Sequence, residues 1–405
     1  MLLILFLVLG FIGYGVTEFL LHQRNLRRIP IRIQVNGTRG KSSVTRLIAA
    51  GLRAAGFRVV AKVTGTRPRF IVGDNEEFPV RRLGNANIAE ELRIVRLARR
   101  HNAQALVVEC MALVPQYQWL ENHLLIKPTH GVVTNIRADH LDVMGPTIRD
   151  VADSLANTIP RKGRFFTAEQ GRFQALLRQK AGPDVSFTVA NPATVTDADL
   201  AGFSYIEHKD NVALALSVCE SLGVRREQAL AGMRRSQPDF GVMRIYQISD
   251  AGKHLEVAYT MAANDPDSIR LLWEMVARRC PERIVLVNCR RDRADRSRQL
   301  AELVATFPCD AVVVTGALTA AFLSRARQKG ISANRLVDLG EELEPRVVYD
   351  RVMGLVKDRA LLYATGNTVG YGERLISCFA AKATGQVKYQ ELAAGVPEDR
   401  HSSIS

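Results

Sequence analysis

The stretch VNGTRGKSS, residues 35–43, ends in the Gly-Lys-Ser of a phosphate-binding loop. The usual pattern wants its first glycine at position 35, which here is Val35. The upstream glycine is Gly37, with only Thr38 and Arg39 before Gly40. Glycines let backbone N–H groups turn inward around phosphate oxygens, and the start of a helix adds partial positive charge. Gly37, Thr38, Arg39 and Gly40 would then cradle the anion. Lys41 would meet the β/γ-phosphates of a nucleotide, and Ser42, followed by Ser43, would offer a hydroxyl to Mg²⁺. An ordinary glycine-rich turn has the same glycines, but Lys-Ser at the helix start favours phosphate.

Two further strand ends carry side chains suited to a metal. ALVVEC (105–110) ends in Glu109, a carboxylate after four apolar residues, which costs solvation unless it meets a cation. GVVTN (131–135) leads into IRADHLD, where His140 stands between Asp139 and Asp142. A neutral imidazole suits a metal, and flanking carboxylates can orient its ring. A lone histidine is more often structural. The weight comes from Glu109, His140 and the loop all falling at strand ends, where open α/β sheets bind ligands.

These residues need a scaffold, and its elements are legible. IPIRIQV alternates as a strand before the loop. Val44, Leu47, Ile48, Gly51, Leu52 and Ala55 recur at helical spacing, Gly56 stops that helix, and FRVVAKV begins a second strand. With ALVVEC, GVVTN, RFFTA (164–168) and VSFTV (185–189), separated by helical patterns, this predicts a parallel sheet with helices on both faces. A second α/β pattern follows in RIVLVNC (283–289), DAVVVTG (310–316), NRLVDL (334–339) and ALLYATG (360–366), after a transition around 236–266. The last 20 residues read as a frayed tail.

The 405 residues are 47% hydrophobic and 24% charged, a globular composition with room for two or three domains. The formal charge of +14 favours anionic partners, but no basic tail or aromatic-interleaved basic motif marks a nucleic-acid module. Six cysteines without metal spacing, several inside apolar runs, predict reduced core thiols of a cytosolic domain. The N-terminus departs from this. MLLILFLVLGFIGYGVTEFLL is uncharged from Leu2 to Thr17, and through Leu21 it would span about 30 Å as a helix, one bilayer core. A signal peptide would want a basic start and a small-residue cleavage site, and neither is present. Arg24, Arg27 and Arg28 then place the remainder in the cytosol by the positive-inside rule, as a single-pass protein of the inner membrane.

In this order and spacing, GTRGKSS (37–43), VVECMAL (107–113) and NIRADHLDVMG (135–145) resemble the ATP-binding domain of the Mur ligase and folylpolyglutamate synthetase superfamily. The resemblance continues through HKDNVALALSVCESLG (208–223), DFGVMRI (239–245) and AANDPDSIRLLWE (262–274). Within that superfamily, TGTRPRF (64–70), DHLDVMGPT (139–147), NCRRDRADR (288–296) and the leading span resemble the ligase subunits of poly-γ-glutamate synthases. The resemblance implies a transmembrane helix (1–21) and a basic linker (22–30). A P-loop, Mur-ligase-like central ATPase domain of mostly parallel sheet (31–242) would follow, then a smaller Rossmann-like α/β C-terminal domain (243–385) and a tail (386–405). It implies ATP and Mg²⁺, with an acyl phosphate formed on a glutamate carboxylate and displaced by an incoming amine. Lys41, Glu109 and His140 would act on the reacting groups, with Ser42, Glu109 and His140 as metal ligands and Asn211 and Arg244 against the nucleotide. Thr66, Arg67 and Arg69, with Arg290, Arg293 and Arg296, could hold glutamate carboxylates, because guanidinium forks pair with them bidentately. The same cluster also reads as a solvated helix start. The implied partners are glutamate, the growing poly-γ-glutamate chain and a multispan membrane subunit, with self-association into a homo-oligomer left open.

The sequence also departs from the family pattern. The helix after DHLD, between Pro146 and Ile159, lacks the lysine that many relatives carbamylate to bridge two metals; Lys162 is nearest. The ribose-binding aspartate falls near Met261, with Asn264 and Asp265 as neighbours. No domain for a nucleotide-sugar substrate precedes the loop. Two other readings of the same residues are another polyglutamylating ligase, which the span disfavours, and a membrane-tethered NTPase gating a transport partner, which would need no carboxylate acceptor.

Overall fold

The structure, a computed structural model, describes residues 2–65, 68–74, 76–82, 86–203, 205, 207–238, 243–261, 266–291, 294–368 and 370–387. Thr66, Arg67, Arg293, Asn264 and Asp265 lie outside the described residues, as does the chain from 388 onward. The chain divides into two compact units, residues 1–202 with 207–239, and residues 203–206 with 240–405.

In the first unit, α1 (Leu2–Arg27) is long and apolar enough to cross a membrane. It continues as one helix past the apolar run, because Leu26 and then Ile29 bury themselves among Ile94, Ala98, Ala103 and Ile126. Eight strands follow: β1 (Ile31–Asn36), β2 (Val59–Val63), β3 (Arg69–Ile71), β4 (Glu77–Pro79), β5 (Ala105–Glu109), β6 (His130–Val133), β7 (Gly163–Thr167) and β8 (Val185–Val189). They form one sheet in the order β4-β3-β2-β5-β1-β6-β7-β8, parallel except for β3 and β4. The β1, β5 and β6 strands are buried on both faces, which is why they read as apolar runs. Register sets Val35 opposite Glu109 on one side and Val132 on the other, so the segments leaving β1, β5 and β6 share one edge. The crossovers include α2 (Lys41–Ala54) and α3 (Glu90–Arg100), and α4 (Pro115–Leu120) runs on into a π-helical turn at Glu121–Ile126.

The second unit holds β9 (Arg244–Asp250), β10 (Lys253–Tyr259), β11 (Glu282–Cys289), β12 (Ala311–Gly316), β13 (Leu336–Asp338), β14 (Arg359–Gly366) and β15 (Gly385–Gln386), in the order β13-β12-β11-β14-β10-β9-β15. Its centre is parallel, while β9 runs antiparallel to both neighbours. The stretch expected as a transition is therefore partly a hairpin. Ala251 and Gly252, at φ 50° and 77°, make the left-handed turn that joins β9 to β10. Two aromatic-rich cores flank this sheet, one around Trp273, Phe307 and Tyr363, the other around Tyr259, Tyr349 and Phe379. The six cysteines are free thiols and five are buried.

Candidate active site

The loop between β1 and α2 is held from beneath. Asn36 Oδ1 accepts the Gly37 N–H at 2.8 Å, while its amide nitrogen donates to Thr158 Oγ1 at 2.9 Å. Asn135, just beyond β6, takes the rest: its Oδ1 accepts from Thr38 Oγ1 at 2.6 Å and from the Arg39 N–H at 3.0 Å. Gly37 sits at φ 132°, and a Cβ there would lie 2.0 Å from Thr134 Oγ1. Gly40 sits at φ 80° against Asn211, whose Oδ1 would be 2.7 Å from an added Cβ. Both glycines are thus demanded by backbone angle and by space. Asn211 is fixed in turn by donating to Glu207 Oε1 at 2.8 Å, from the helix Lys209–Ser221 that packs on α2.

Gly40 caps α2 without a side-chain acceptor, so the first N–H groups of that helix have no capping side chain and face the loop. This is the electrostatic setting that binds phosphate. Lys41 Nζ crosses the loop, donating to Gly37 O at 2.7 Å. Ser42 Oγ donates to Glu109 Oε2 at 2.8 Å, and the Thr64 N–H meets the same oxygen at 2.7 Å. Glu109 is 3% exposed and, among the described residues, has no cationic side chain paired with it. Loop, Ser42, Glu109 and Asn211 are therefore brought together. A hydroxyl and a buried carboxylate oxygen are hard donors that fit Mg²⁺, which characteristically takes one or two protein oxygens and completes its shell with water and substrate phosphate.

His140 is placed differently from the sequence expectation. It sits at the same sheet edge, in a left-handed conformation (φ 48°), with its side chain 47% exposed. Its Nε2 is 3.9 Å from Asp139 Oδ1, too long for the orienting hydrogen bond, and Asp139 also lies 3.6 Å from Arg39. Among the described residues no group of three or more His, Cys, Asp or Glu side chains gathers to hold a metal. Arg69 begins β3, opposite Val63 and Pro79. Arg244, Arg290 and Arg296 belong to the second unit. Arg244 opens β9, Arg290 follows β11, and Arg296 reaches from the helix Ala294–Val304 to Gly366 O at 3.5 Å.

Sequence reasoning missed the ionic cluster behind Glu109. Lys62, in the middle of β2, is fully buried and pairs with Glu90 at 2.7 Å and with Glu91, and its Nζ lies 3.3 Å from Met111 Sδ. Burial works against its charge, but Glu91 and Glu90 outweigh that and hold the ammonium above its ordinary pKa. Burial, reinforced by Glu91, pushes the Glu121 carboxyl in the π-helical turn up to about 8. A lysine interrupting VVAKV was the one available signal.

Comparisons with known proteins identify the family. Residues 35–218 match the Mur ligase middle domain family, and residues 245–382 match the poly-gamma-glutamate synthase CapB C-terminal domain family. The chain is 36% identical over 381 residues to the capsule biosynthesis protein CapB of Bacillus anthracis, covering 92% of this chain and 81% of that protein. It is 34% identical over 372 residues to PGA synthase CapB of Bacillus subtilis (strain 168), covering 89% and 93%. Among solved structures, E. coli FolC in complex with ADP aligns with a TM-score of 0.65 at 16% identity, over 91% of this chain and 95% of that one. A MurF structure from Acinetobacter baumannii aligns at 0.63 and 15%, over 89% and 79%; both likenesses are of fold. The chain belongs to the CapB poly-gamma-glutamate synthase family of ATP-dependent amide ligases, built on the Mur ligase fold.

Proposed function

We propose that this protein is held in the cell membrane by α1, faces the cytoplasm with both units, and joins glutamate into poly-γ-glutamate through an acyl phosphate. The observation that carries the reading is Ser42 and Glu109 meeting beneath a glycine loop that opens an uncapped helix, in a chain of this family. A carboxylate oxygen of the growing chain attacks the γ-phosphorus of ATP, the β–γ bridging bond breaks, and ADP leaves. The amine of the next glutamate then attacks the acyl carbon, phosphate departs with the C–O electron pair, and the nitrogen loses a proton. The protein's work is alignment and charge neutralisation among three anions. Lys41 and the α2 N–H groups take the phosphates, while Asn211 and Arg244 flank the nucleotide. Ser42 and Glu109 would hold Mg²⁺, with His140, at the same sheet edge, as the third candidate ligand. When bound, the ion supplies positive charge against the phosphate oxygens. Arg290, Arg293, Arg296, Arg67 and Arg69, with Thr66, receive glutamate carboxylates.

One apolar helix has no interior and cannot conduct a polyanion through lipid. A separate multispan subunit therefore supplies the path, and α1 keeps the ligase beside it. The test is ADP formation by the full chain in membranes with and without glutamate, followed by product mass. Glutamate-dependent turnover with products spaced by one glutamyl residue supports the reading. Turnover indifferent to glutamate overturns it.

A further inference from the structure

Resting on the reading that α1 enters a membrane, we propose that the face formed by Arg28, Arg58 and Arg99 docks against the anionic headgroups of that membrane. The end of α1 is built into the first unit rather than tethered to it. Arg96 on α3 lies 3.7 Å from Glu18, His22 Nε2 is 2.8 Å from Leu125 O, and Lys127 Nζ donates to Gln23 Oε1 at 2.6 Å. Glu18 lies within the apolar run, so the partner side chain from α3 sits level with the edge of the hydrocarbon.

Six residues, 22–27, separate Leu21 from Arg28, about 10 Å of rise, which puts the Arg28 backbone just beyond a headgroup layer about 5–7 Å deep, with its long side chain in reach of it. There a recess of about 310 Å³ is lined by Arg28, Arg58, Arg99, Asn102 and Gln104. Two of its guanidiniums are fastened to one turn. Arg58 Nε donates to Asn102 O at 3.0 Å and Arg99 Nη1 to Asn102 Oδ1 at 2.8 Å, with Asn102 at φ 50°. Among the described residues no carboxylate pairs with Arg28, Arg58 or Arg99. Each guanidinium thus keeps forked donors for a phosphate, the geometry it matches best. Lipid, rather than a soluble anion, is the occupant because the face surrounds the root of the span, where anionic headgroups are concentrated.

The docking also fixes an orientation. Arg28, Arg58 and Asn102 precede the amino ends of β1, β2 and β5, whereas the phosphate loop and Glu109 leave the carboxyl ends of β1 and β5. The six residues of β1, about 20 Å of strand, separate the basic face from the site.

The test reconstitutes the full chain in nanodiscs of phosphatidylcholine alone or with phosphatidylglycerol, and follows amide hydrogen exchange around Asn102. Exchange should slow by about tenfold in the anionic discs and recover at high salt. The Arg28→Gln, Arg58→Gln, Arg99→Gln triple variant should exchange alike in both discs. The salt response of the unmutated chain decides the matter even if that variant folds poorly. Identical exchange in neutral and anionic discs overturns this inference alone, as does slowing that appears only with a protein partner. A chain that enters neither disc overturns the anchored reading and this inference with it.

Discussion

Glu109 and Glu121 lie in one unit, both nearly inaccessible to water, but with different surroundings. Glu109 ends β5 and presents an oxygen to a hydroxyl and a backbone N–H at the mouth of the phosphate loop. Glu121 lies behind that strand end. It accepts from Gln34 Nε2 at 3.2 Å and from the Met111 backbone, and among the described residues its other oxygen has no hydrogen-bond partner. Burial, with Glu91 nearby, pushes the Glu121 carboxyl up to about 8 and so favours its protonated form. The difference shows that a buried carboxyl marks a cation site only where hard donors and an anion-binding helix start converge on it. Elsewhere the protein neutralises it, with a proton at Glu121 and with Lys62 at Glu90 and Glu91.

The largest effect expected from breaking this comparison is at Lys62. Lys62→Met strands Glu91, wholly buried, without its cation, and should cost about 3–5 kcal/mol in urea unfolding of the full chain in detergent. A loss below 1 kcal/mol would mean the cluster contributes little. Next comes Glu109→Gln, which keeps the shape and removes the charge. Ligation should fall by about 10²–10³-fold, by analogy with loss of one preorganised electrostatic group, with the unfolding midpoint little changed. Glu121→Gln should do the reverse and leave ligation near normal. Gly37→Ala should cost about 1–3 kcal/mol and weaken nucleotide binding, since its Cβ would press on Thr134 Oγ1. Isothermal titration with ATP reads the second effect, and unchanged affinity would contradict the loop geometry.

The smallest effect is a slope. Glu121 is raised in the folded state, so its stabilising contribution is complete below the ordinary carboxyl range and is lost as pH rises toward about 8. Unmutated protein should therefore lose stability between about pH 4.5 and 8 relative to Glu121→Gln, whose curve lacks this component. Parallel curves would show that Glu121 is ionised in the folded protein.

The strands around the site were legible because each is a short apolar run bounded by turn residues, and the loop because Gly-Lys-Ser opens a helix. Sheet order was not legible. Nothing in a run of valines says that β5 slots between β1 and β2, or that β3 and β4 extend the sheet antiparallel. The β9–β10 hairpin escaped because its turn, Ala251-Gly252, lacks the Asn-Gly or Asp-Gly signature. Asn135 and Thr64 were missed as holders of the loop and of Glu109, because a side-chain amide and a backbone N–H carry no sequence signal until register brings them close. The carboxylates flanking His140 carry the same lesson: adjacency in the chain is not orientation, since Asp139 makes no hydrogen bond to the ring and lies beside Arg39 as well.

The measurement closest to the central claim is trapping by hydroxylamine. The full chain in membranes, given ATP, Mg²⁺ and a γ-glutamyl acceptor, should form γ-glutamyl hydroxamate in step with ADP, and Glu109→Gln should lose both. ADP released without hydroxamate, at a rate indifferent to the acceptor, would contradict an acyl-phosphate ligase and leave a nucleotide hydrolase in its place.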